Sequence, residues 1–463
     1  MLETVCHSSC ALTIRYDLAV FSLTLAVIAC GAKTPPAQAP ELESVDVPSP
    51  GGVRDLYPRQ LESFDYTWNA INDSYWDADF LAADWALARE QLRPKILAAQ
   101  SANEAREVIR ELLRRTKQSH FGLMAPRSNK ADEDGDGGPA EPGFDIRIVG
   151  DDIFVSRVVA NGPAAVAGIV PGWLLVQVGD TALKEVLSDY RKSRTAAGVG
   201  AHATTSARLM ENRAIVTRTH GAVGDRVLFR FLDGHNSEKR IPIILAPPSG
   251  MLANFGNLTN IPVEYESRFL DPKKTIGYVR LSVFFDPVQV IGNFRSDVKR
   301  FANAKGLVLD FRGNPGGIGL MSTGFANLLI ADEGKKLGTM ISRDSKLKFV
   351  LNPQPGAFVG KVAVLVDELC ASTCEIIAGG LADIKRARIF GQVTAGVALP
   401  SQIVSLPSGD LLQYATANYI SESGATLEGK GVTPDEIIEL DRKKLLRGTD
   451  SQISAAIHWI NQL

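Results

Sequence analysis

The chain has 463 residues, of which 45% are hydrophobic and 22% are charged, and its formal net charge is −2. These proportions are typical of a globular protein, and the length predicts about three domains. Because no basic stripe accompanies this nearly neutral charge, the composition argues against a nucleic-acid-binding protein.

The N-terminal segment is expected to direct export. A short apolar stretch, residues 18–29, is too short to span a membrane and has the length of the apolar part of a signal peptide. Residues 27–30, of sequence VIAC, resemble the bacterial lipobox, in which the cysteine is lipidated. We expect a lipoprotein signal peptide over residues 1–30, a lipid on Cys30 and a Pro-rich tether over residues 31–50. The protein would then be anchored in the cell envelope; a plain signal peptide or an uncleaved anchor is the alternative.

A helical region is predicted for residues 51–126. Large apolar side chains recur there at three- and four-residue spacing, which places them on one helix face. Ser101 is placed to begin a helix that extends to about Lys117. Ser119 and His120 follow directly, so they are expected at the end of a helix or the start of a loop.

Residues 127–143 are acidic and rich in glycine. Alternating acidic residues also occur in calcium-binding loops, but the glutamate that such a loop requires further on is missing. The segment is therefore predicted to be a solvated linker that binds no metal.

Residues 144–247 resemble a PDZ domain of the type that accompanies bacterial proteases. Three segments carry the resemblance, as a strand, a helix of small residues and a Pro-Gly turn leading into a strand: residues 153–159, 162–169 and 171–178. Residues 225–244 would supply the closing strands, and residues near 184–222 would be an insertion. PDZ domains bind extended peptide ends by adding a strand to a sheet edge. Another small β domain is the alternative.

Residues 255–445 are predicted to form an α/β core, and residues 446–463 a C-terminal helix. Three apolar runs predict buried strands: residues 275–281, 306–311 and 361–367. A Gly-rich turn over residues 310–317 follows the second strand, and a helix over residues 372–382 follows the third. The chain as a whole is therefore expected to be a multidomain α/β (α+β) protein.

Ser372 lies where the third strand meets this helix. The first N–H groups of a helix have no partner within it and lie at its positive end, so they are able to bind an oxyanion. A hydroxyl needs a base to act as a nucleophile, and His120 is the candidate. The alternative is an ordinary capping box, which the Ser372 and Glu375 pair also fits.

Cys370 and Cys374 flank Ser372 at a spacing of four residues. A disulfide between them would need an oxidising compartment and an unusual local geometry. The prediction is therefore two small buried residues beside the site rather than a bond.

The core resembles the C-terminal processing (tail-specific) peptidases and their tricorn-core relatives. Three motifs carry the resemblance: DFRGNPGG at residues 310–317, ASTCE at residues 371–375 and EGKGVTPD at residues 428–435. The resemblance implies a crotonase-like α/β serine protease core. One position departs from the tail-specific pattern, because Val397 stands where that branch has its catalytic lysine.

The tricorn branch implies a different base. It has an upstream Ser-His pair and a glutamate before a Gly-Val-x-Pro-Asp segment, which correspond here to Ser119, His120 and Glu428. The resemblance then implies Ser372 as nucleophile, His120 as general base and Ser119 or Glu428 as polar support. Because a neutral imidazole must accept the serine proton, the rate is expected to fall on the acid side of an apparent pKa near 6.5–7.5.

Two further features follow from the same resemblance. The oxyanion hole would use the Thr373 N–H together with the N–H of Gly316 or Gly317. Asp383 matches an aspartate of the family, as a support for catalysis or as a structural hydrogen-bonding group.

The sequence thus predicts a serine endopeptidase that acts on peptides or unfolded proteins without a cofactor. Two alternatives remain. Val397 favours an inactive pseudo-protease that binds peptides without cutting them. A serine–lysine enzyme would have to use Lys385 or Lys430 instead.

Overall fold

The computed structural model describes residues 56–125, 138–196 and 206–462. The predicted signal peptide, Cys30 and the tether lie outside the described residues, as does most of the predicted linker. Within the described ranges, no helix has the length and apolar character needed to cross a membrane.

The helical region contains three helices that pack against one another. They are α1 (Leu56–Ser74), α2 (Ala78–Ala98) and α3 (Ala102–Arg114). Ser101 caps α3 as predicted, because its Oγ accepts the Glu104 N–H at 3.1 Å. Phe64, Ile71 and Ile109 are fully buried in the core that these helices share, so the apolar spacing was interpreted correctly.

The region does not end in a helix. After His120 the chain forms a short strand, β1 (Gly122–Met124), which pairs with β18 (Leu411–Ala415) of a three-stranded sheet completed by β17 (Ser401–Ser405). This pairing fixes the Ser119-His120 loop against the C-terminal half of the chain.

Residues 138–247 form a β-rich domain. Its sheet has the order β2-β3-β4-β6-β7, with β5 paired to β4. The elements are β2 (Phe144–Val149), β3 (Asp152–Val158), α4 (Pro163–Val166), β4 (Leu174–Val178), β5 (Thr181–Ala182), α5 (Leu183–Ala196), α6 (Ala207–Thr219), β6 (Arg226–Leu232) and β7 (Glu238–Ile244).

Two parts of this domain differ from the sequence prediction. The segment near 184–222, predicted to be an insertion, contributes Leu187 of α5 and Ile215 of α6 to the domain core. Residues 138–143 were assigned to the linker, yet Ala140 bridges to Gly221 and the next residue bridges to Ala246. In both places tertiary pairing, rather than local composition, decides which residues pack with the domain.

The C-terminal half is built on a six-stranded sheet, in which all strands but the first run parallel. In order across the sheet these are β10 (Tyr265–Phe269), β11 (Ile276–Leu281), β12 (Gly306–Asp310), β15 (Lys361–Val366), β16 (Ala387–Gly391) and β20 (Glu436–Ile437). The predicted strands at 275–281, 306–311 and 361–367 are β11, β12 and β15.

Helices cover both faces of this sheet, which is why the central strands β12 and β15 are largely apolar. One face packs against α7 (Pro287–Arg300), α8 (Met321–Ala326) and α9 (Thr373–Asp383). The other face packs against the C-terminal helix α11 (Ser451–Asn461). A hairpin, a three-stranded sheet and a short helix complete the fold: β8 (Met251–Phe255), β9 (Leu258–Val263), β13 (Lys336–Ser342), β14 (Lys346–Val350), β19 (Ala417–Ser421) and α10 (Arg442–Leu445).

Two ion pairs, one of them buried, join the β-rich domain to the core. Arg147 on β2 contacts Asp367 at 2.6 Å, and the two side chains are only 8% and 2% exposed. The Asp367 carboxylate also accepts the N–H of Gly313, in the Gly-rich turn after β12. A second pair joins Arg280 to Asp145 at 2.9 Å. The domain is therefore built into the core rather than tethered to it.

We expect Arg147→Met to lower the free energy of unfolding by about 3–5 kcal/mol, because it leaves the buried Asp367 carboxylate without its cation. Denaturant titration measures this loss. The matched control is Lys184→Met in the exposed pair with Asp152, which should cost no more than about 1 kcal/mol. Equal effects of the two substitutions would contradict the prediction.

Candidate active site

Ser372 occupies a sharp turn between β15 and α9. Its backbone has φ 55° and ψ −120°, a conformation that residues with a β-carbon rarely adopt. Ser372 remains partly exposed, whereas its neighbours Ala371 and Thr373 are buried. Its N–H donates to the Val397 carbonyl at 2.7 Å, so the turn is fixed to the loop that follows β16.

The buried side chain of Glu375 binds the same loop through hydrogen bonds. Its carboxylate is fully buried and accepts hydrogen bonds from the backbone N–H groups of Ser372, Gly396 and Val397, and from the Thr394 hydroxyl. Burial raises the pKa of Glu375 to about 7, although the four donors favour the ionised form. The sequence identified Glu375 only as part of a helix cap; the structure makes it the residue that holds the 394–397 loop beside Ser372.

Ser119, His120 and Glu428 form a second group. The Glu428 carboxylate accepts the Ser119 N–H at 3.0 Å and the Ser119 hydroxyl at 2.8 Å. The Ser119 Oγ also lies 2.8 Å from His120 Nδ1. Glu428 is 7% exposed, so it is a buried site carboxylate and not a solvated loop residue.

With Glu428 ionised, these contacts assign the imidazole proton to one of the two nitrogens of His120. An ionised carboxylate only accepts hydrogen bonds, so the single hydroxyl hydrogen of Ser119 points to Glu428. The Ser119 oxygen must then accept from His120, which places a proton on Nδ1. Nε2 of the neutral imidazole keeps its lone pair and is the basic nitrogen.

The two groups meet at consecutive residues of one loop. Val397 accepts the Ser372 N–H, and the next residue, Ala398, donates its N–H to Glu428 at 2.9 Å. The structure thereby brings Ser372 and Glu428 to the same loop, and Ser119 and His120 are linked to that loop through Glu428. Val397 itself supplies only backbone contacts and apolar surface.

Aromatic residues surround the histidine loop. Tyr75 is fully buried and packs against Phe121 with ring centroids 5.8 Å apart and against Trp76 at 5.9 Å. His120 is partly exposed, but the protein around its ring lowers its pKa from 6.5 to about 4 because the charged form loses hydration. The imidazole is therefore neutral at physiological pH.

The Gly-rich turn after β12 packs directly on the Ser372 turn. A β-carbon on Gly316 would lie 2.6 Å from the Ser372 Cβ, and one on Gly317 would collide with the Phe284 carbonyl. The Gly316 N–H donates to the Asn314 side chain at 2.8 Å and is already used. Gly317 accepts the Thr373 hydroxyl at 2.9 Å through its carbonyl, which holds it against the start of α9.

Asp383 lies away from this cluster. It ends α9, roughly 16 Å along the helix from Ser372. Its carboxylate accepts the Ser423 N–H at 2.9 Å, which is a structural contact. Lys385 and Lys430 are both exposed to solvent.

Cys370 and Cys374 form a disulfide, contrary to the sequence prediction. Cys370 precedes α9, and the positive φ of Ser372 turns the chain back so that the two Cα atoms lie 5.6 Å apart, a usual separation for a disulfide. The prediction failed because sequence spacing alone does not reveal this reversal.

Comparison with known proteins relates two parts of the chain to peptidase families. Residues 275–438 match the model of peptidase family S41, and residues 60–114 match the tricorn protease C1 domain. The match to peptidase family S41 lies in the α/β core and covers about a third of the chain. Together with the relatives named below, this match indicates a serine-type peptidase, which is a hydrolase.

Named relatives agree with this assignment. A carboxy-terminal-processing protease from Bartonella bacilliformis is 31% identical over 186 residues, which cover 38% of this chain and 41% of that protein. A chloroplastic C-terminal processing peptidase from Tetradesmus obliquus is 26% identical over 82% of this chain and 76% of its own length. A carboxyl-terminal-processing protease from Synechocystis is 24% identical over 84% of each chain.

Solved structures share the fold. The photosystem II D1 C-terminal processing protease superposes with a TM-score of 0.50 at 22% identity, over 82% of this chain and 92% of that one. Mature CPAF superposes with a TM-score of 0.58 at 14% identity, over 88% and 98% of the two chains. The mixed α/β architecture of this peptidase is therefore one that known proteases also adopt.

Proposed function

We propose that this peptidase cleaves peptides or unfolded proteins through Ser372, with His120 as general base. The observation that carries the proposal is the hydrogen-bonded chain from Glu428 through Ser119 to His120 Nδ1, which leaves Nε2 as a base. This chain is attached to the same loop that holds the strained Ser372 turn. Strained backbone at a nucleophile is a common feature of such turns.

The chemistry then follows in two steps. His120 Nε2 removes the Ser372 proton as Oγ attacks the carbonyl carbon, and the imidazolium donates that proton to the departing amine. An acyl-enzyme remains, and water activated by the same nitrogen hydrolyses it. Glu428 stabilises the imidazolium through Ser119, which is the role that the sequence left open.

For the oxyanion we propose the N–H groups of Thr373 and Gly317. Thr373 is the first residue of α9, so its N–H has no acceptor within the helix. Between the two glycines, Gly317 is preferred because the Gly316 N–H is occupied by Asn314. Donors that are fixed before reaction stabilise the developing charge without reorganisation.

Labelling with a fluorophosphonate probe tests the proposal against the pseudo-protease alternative that Val397 suggests. The peptidase should react, and digestion with mass spectrometry should locate the probe on Ser372. A folded protein that gives neither labelling nor peptide hydrolysis would favour the peptide-binding alternative.

The pH dependence should differ from that of an ordinary imidazole. Because burial lowers the pKa of His120 to about 4, kcat/KM should be nearly constant between pH 8 and 5.5 and fall below about pH 5. An unshifted imidazole would retain only about a tenth of its activity at pH 5.5. This replaces the acid limb near pH 6.5–7.5 that the sequence suggested. An acid limb centred near pH 6.5 would contradict the expectation.

Loss of stability at low pH and titration of Glu375 can also change the measured rate, and the same pH series separates them from the titration of His120. The folded state resists protonation of His120, so its contribution to stability is complete above pH 6.5 and is lost progressively between pH 6.5 and about 4. A thermal unfolding series across these pH values identifies losses of activity that come from unfolding. Any inflection near pH 7 that disappears in Glu375→Gln belongs to Glu375.

We further propose that the β-rich domain captures substrate ends as a PDZ domain would. Strand β2 lies at one edge of the sheet, and α6 packs beside it, which is the arrangement needed for strand addition. Blocking the C-terminal carboxylate of a protein substrate should then raise its KM about tenfold and leave kcat unchanged. Short peptides serve as the control, and an unchanged KM for the blocked protein would contradict end capture.

Anchoring at Cys30 is proposed on the sequence alone. The lipobox-like residues 27–30 support it, and stable membrane attachment needs more than one acyl chain. The mass of the mature N-terminal peptide tests it. An unmodified N-terminus at any residue other than Cys30 would instead indicate ordinary secretion.

A further inference from the structure

A covalent cross-link surrounds the proposed nucleophile. Cys370 and Cys374 are bonded to each other, and Ser372 is the central residue of the five that the bond encloses. Both cysteines are fully buried and belong to the main core cluster. The bond therefore anchors both ends of the Ser372 turn in the rigid interior.

The other restraints on this turn are hydrogen bonds, which include those from Ser372 to the Glu375 carboxylate and from the Thr373 hydroxyl to Gly317. Ala371 donates to the Asn314 carbonyl, Ser372 donates to Val397, and the Cys370 carbonyl accepts the Ala395 N–H at 3.0 Å. None of these bonds by itself prevents the turn from relaxing out of the positive φ of Ser372. The cross-link does so, because it fixes the separation of the residues on either side.

We propose that the Cys370–Cys374 disulfide is a positioning element for catalysis, and that turnover depends on its being intact. It fixes the position of the Ser372 Oγ relative to His120 Nε2 and to the N–H groups of Thr373 and Gly317. This inference rests on the proposed function of Ser372.

The effect should fall on turnover rather than on substrate binding. The cysteines are buried and do not present a surface to a substrate, whereas a nucleophile misplaced by about 1 Å loses on the order of 100-fold in rate. Loss of the bond should therefore lower kcat and leave KM nearly unchanged.

Reduction has a defined stoichiometry. A dithiol such as dithiothreitol attacks one sulfur, and the resulting mixed disulfide closes to a cyclic disulfide of the reagent. Two electrons and two protons pass to the protein, which gives the free thiols of Cys370 and Cys374. Because both sulfurs are buried, we expect this reaction to be slow in the native protein and rapid after unfolding.

The primary test compares the wild type with Cys370→Ala, Cys374→Ala and the double substitution. Either single change breaks the bond, so both should lower kcat about 10–100-fold, and the double variant should be no worse. KM should stay within about threefold, and the rate of fluorophosphonate labelling should fall in parallel with kcat. The single variants are matched controls, because effects of side-chain packing would differ between the two sites and would add in the double variant.

Reduction and reoxidation of the wild type cover the case in which the variants do not fold. Long incubation with dithiothreitol should lower kcat to the level of the variants, and oxidised glutathione, which accepts the two electrons, should restore it. Mass spectrometry after alkylation reports the fraction of reduced protein. A fully reduced, folded wild type with unchanged kcat would overturn the inference, as would free thiols at both positions in the unreduced protein.

The outcomes separate this inference from the proposed function. If Ser372→Ala retains activity, the nucleophile assignment fails first. If Ser372→Ala is inactive while the folded cysteine variants turn over at the wild-type rate, only the positioning role of the disulfide is wrong.

Discussion

Replacing Ser372 with alanine should abolish peptide hydrolysis and fluorophosphonate labelling, with a loss of turnover of about 10³-fold or more. No other described feature of the turn supplies a nucleophile at that point, because the neighbouring Ala371 is inert and Thr373 directs its hydroxyl to the Gly317 carbonyl. Initial rates with a fluorogenic peptide measure the effect.

The fold should survive this substitution. The backbone contacts of the turn, to Val397 and Glu375, do not involve the hydroxyl, so the free energy of unfolding should change by no more than about 2 kcal/mol. Ser454→Ala on the exposed side of α11 is the matched control and should keep the wild-type rate. Appreciable hydrolysis by a purified Ser372→Ala protein would remove Ser372 from the mechanism.

Replacing His120 should cost on the order of 10³-fold in kcat, because the serine proton then has no acceptor. His120 has φ 59°, a left-handed conformation that asparagine tolerates better than most residues. His120→Asn is therefore the preferred variant, since it preserves the backbone and a polar side chain while removing the base.

The supporting residues should show smaller effects. Ser119→Ala and Glu428→Gln leave the imidazole in place but remove the contacts that keep its proton on Nδ1, so we expect losses of about 10–100-fold. His458→Ala on α11 controls for histidine removal as such. Equal losses in His120→Asn and His458→Ala, or a wild-type rate in His120→Asn, would contradict the assignment.

The local pattern of the sequence determined the elements that carry the site. A continuous apolar run followed by Ser372 and a helical spacing predicted β15 and α9, and the structure has both. The strands before the Gly-rich turn were predicted for the same reason, since a buried parallel strand must be apolar on both faces. These elements can be predicted without tertiary information, because a buried strand or a buried helix face requires a pattern of apolar residues that is local in the sequence.

The partners of Ser372 required more than local pattern. His120 was chosen as the candidate base because a serine nucleophile needs one, whereas Ser119 and Glu428 were assigned through a family resemblance, because no periodicity in the sequence connects residues so far apart. Their meeting at Val397 and Ala398 depends on where separate elements close upon one another. The pairing of β1 with β18 is such a closure, and it places the histidine loop against the core.

Other features were decided only by the tertiary structure. The choice of Gly317 over Gly316 depends on the direction of an N–H bond, which residue identity does not encode. The low pKa of His120 depends on the protein packed around its ring, and the role of Glu375 depends on four donors that converge on one carboxylate. The disulfide depends on a chain reversal at Ser372. The sequence by itself therefore determined which chemical groups the protein carries and the elements that present them. The tertiary structure decided their distances, their hydration and their hydrogen-bond directions, because these are set by contacts between segments that lie far apart along the chain.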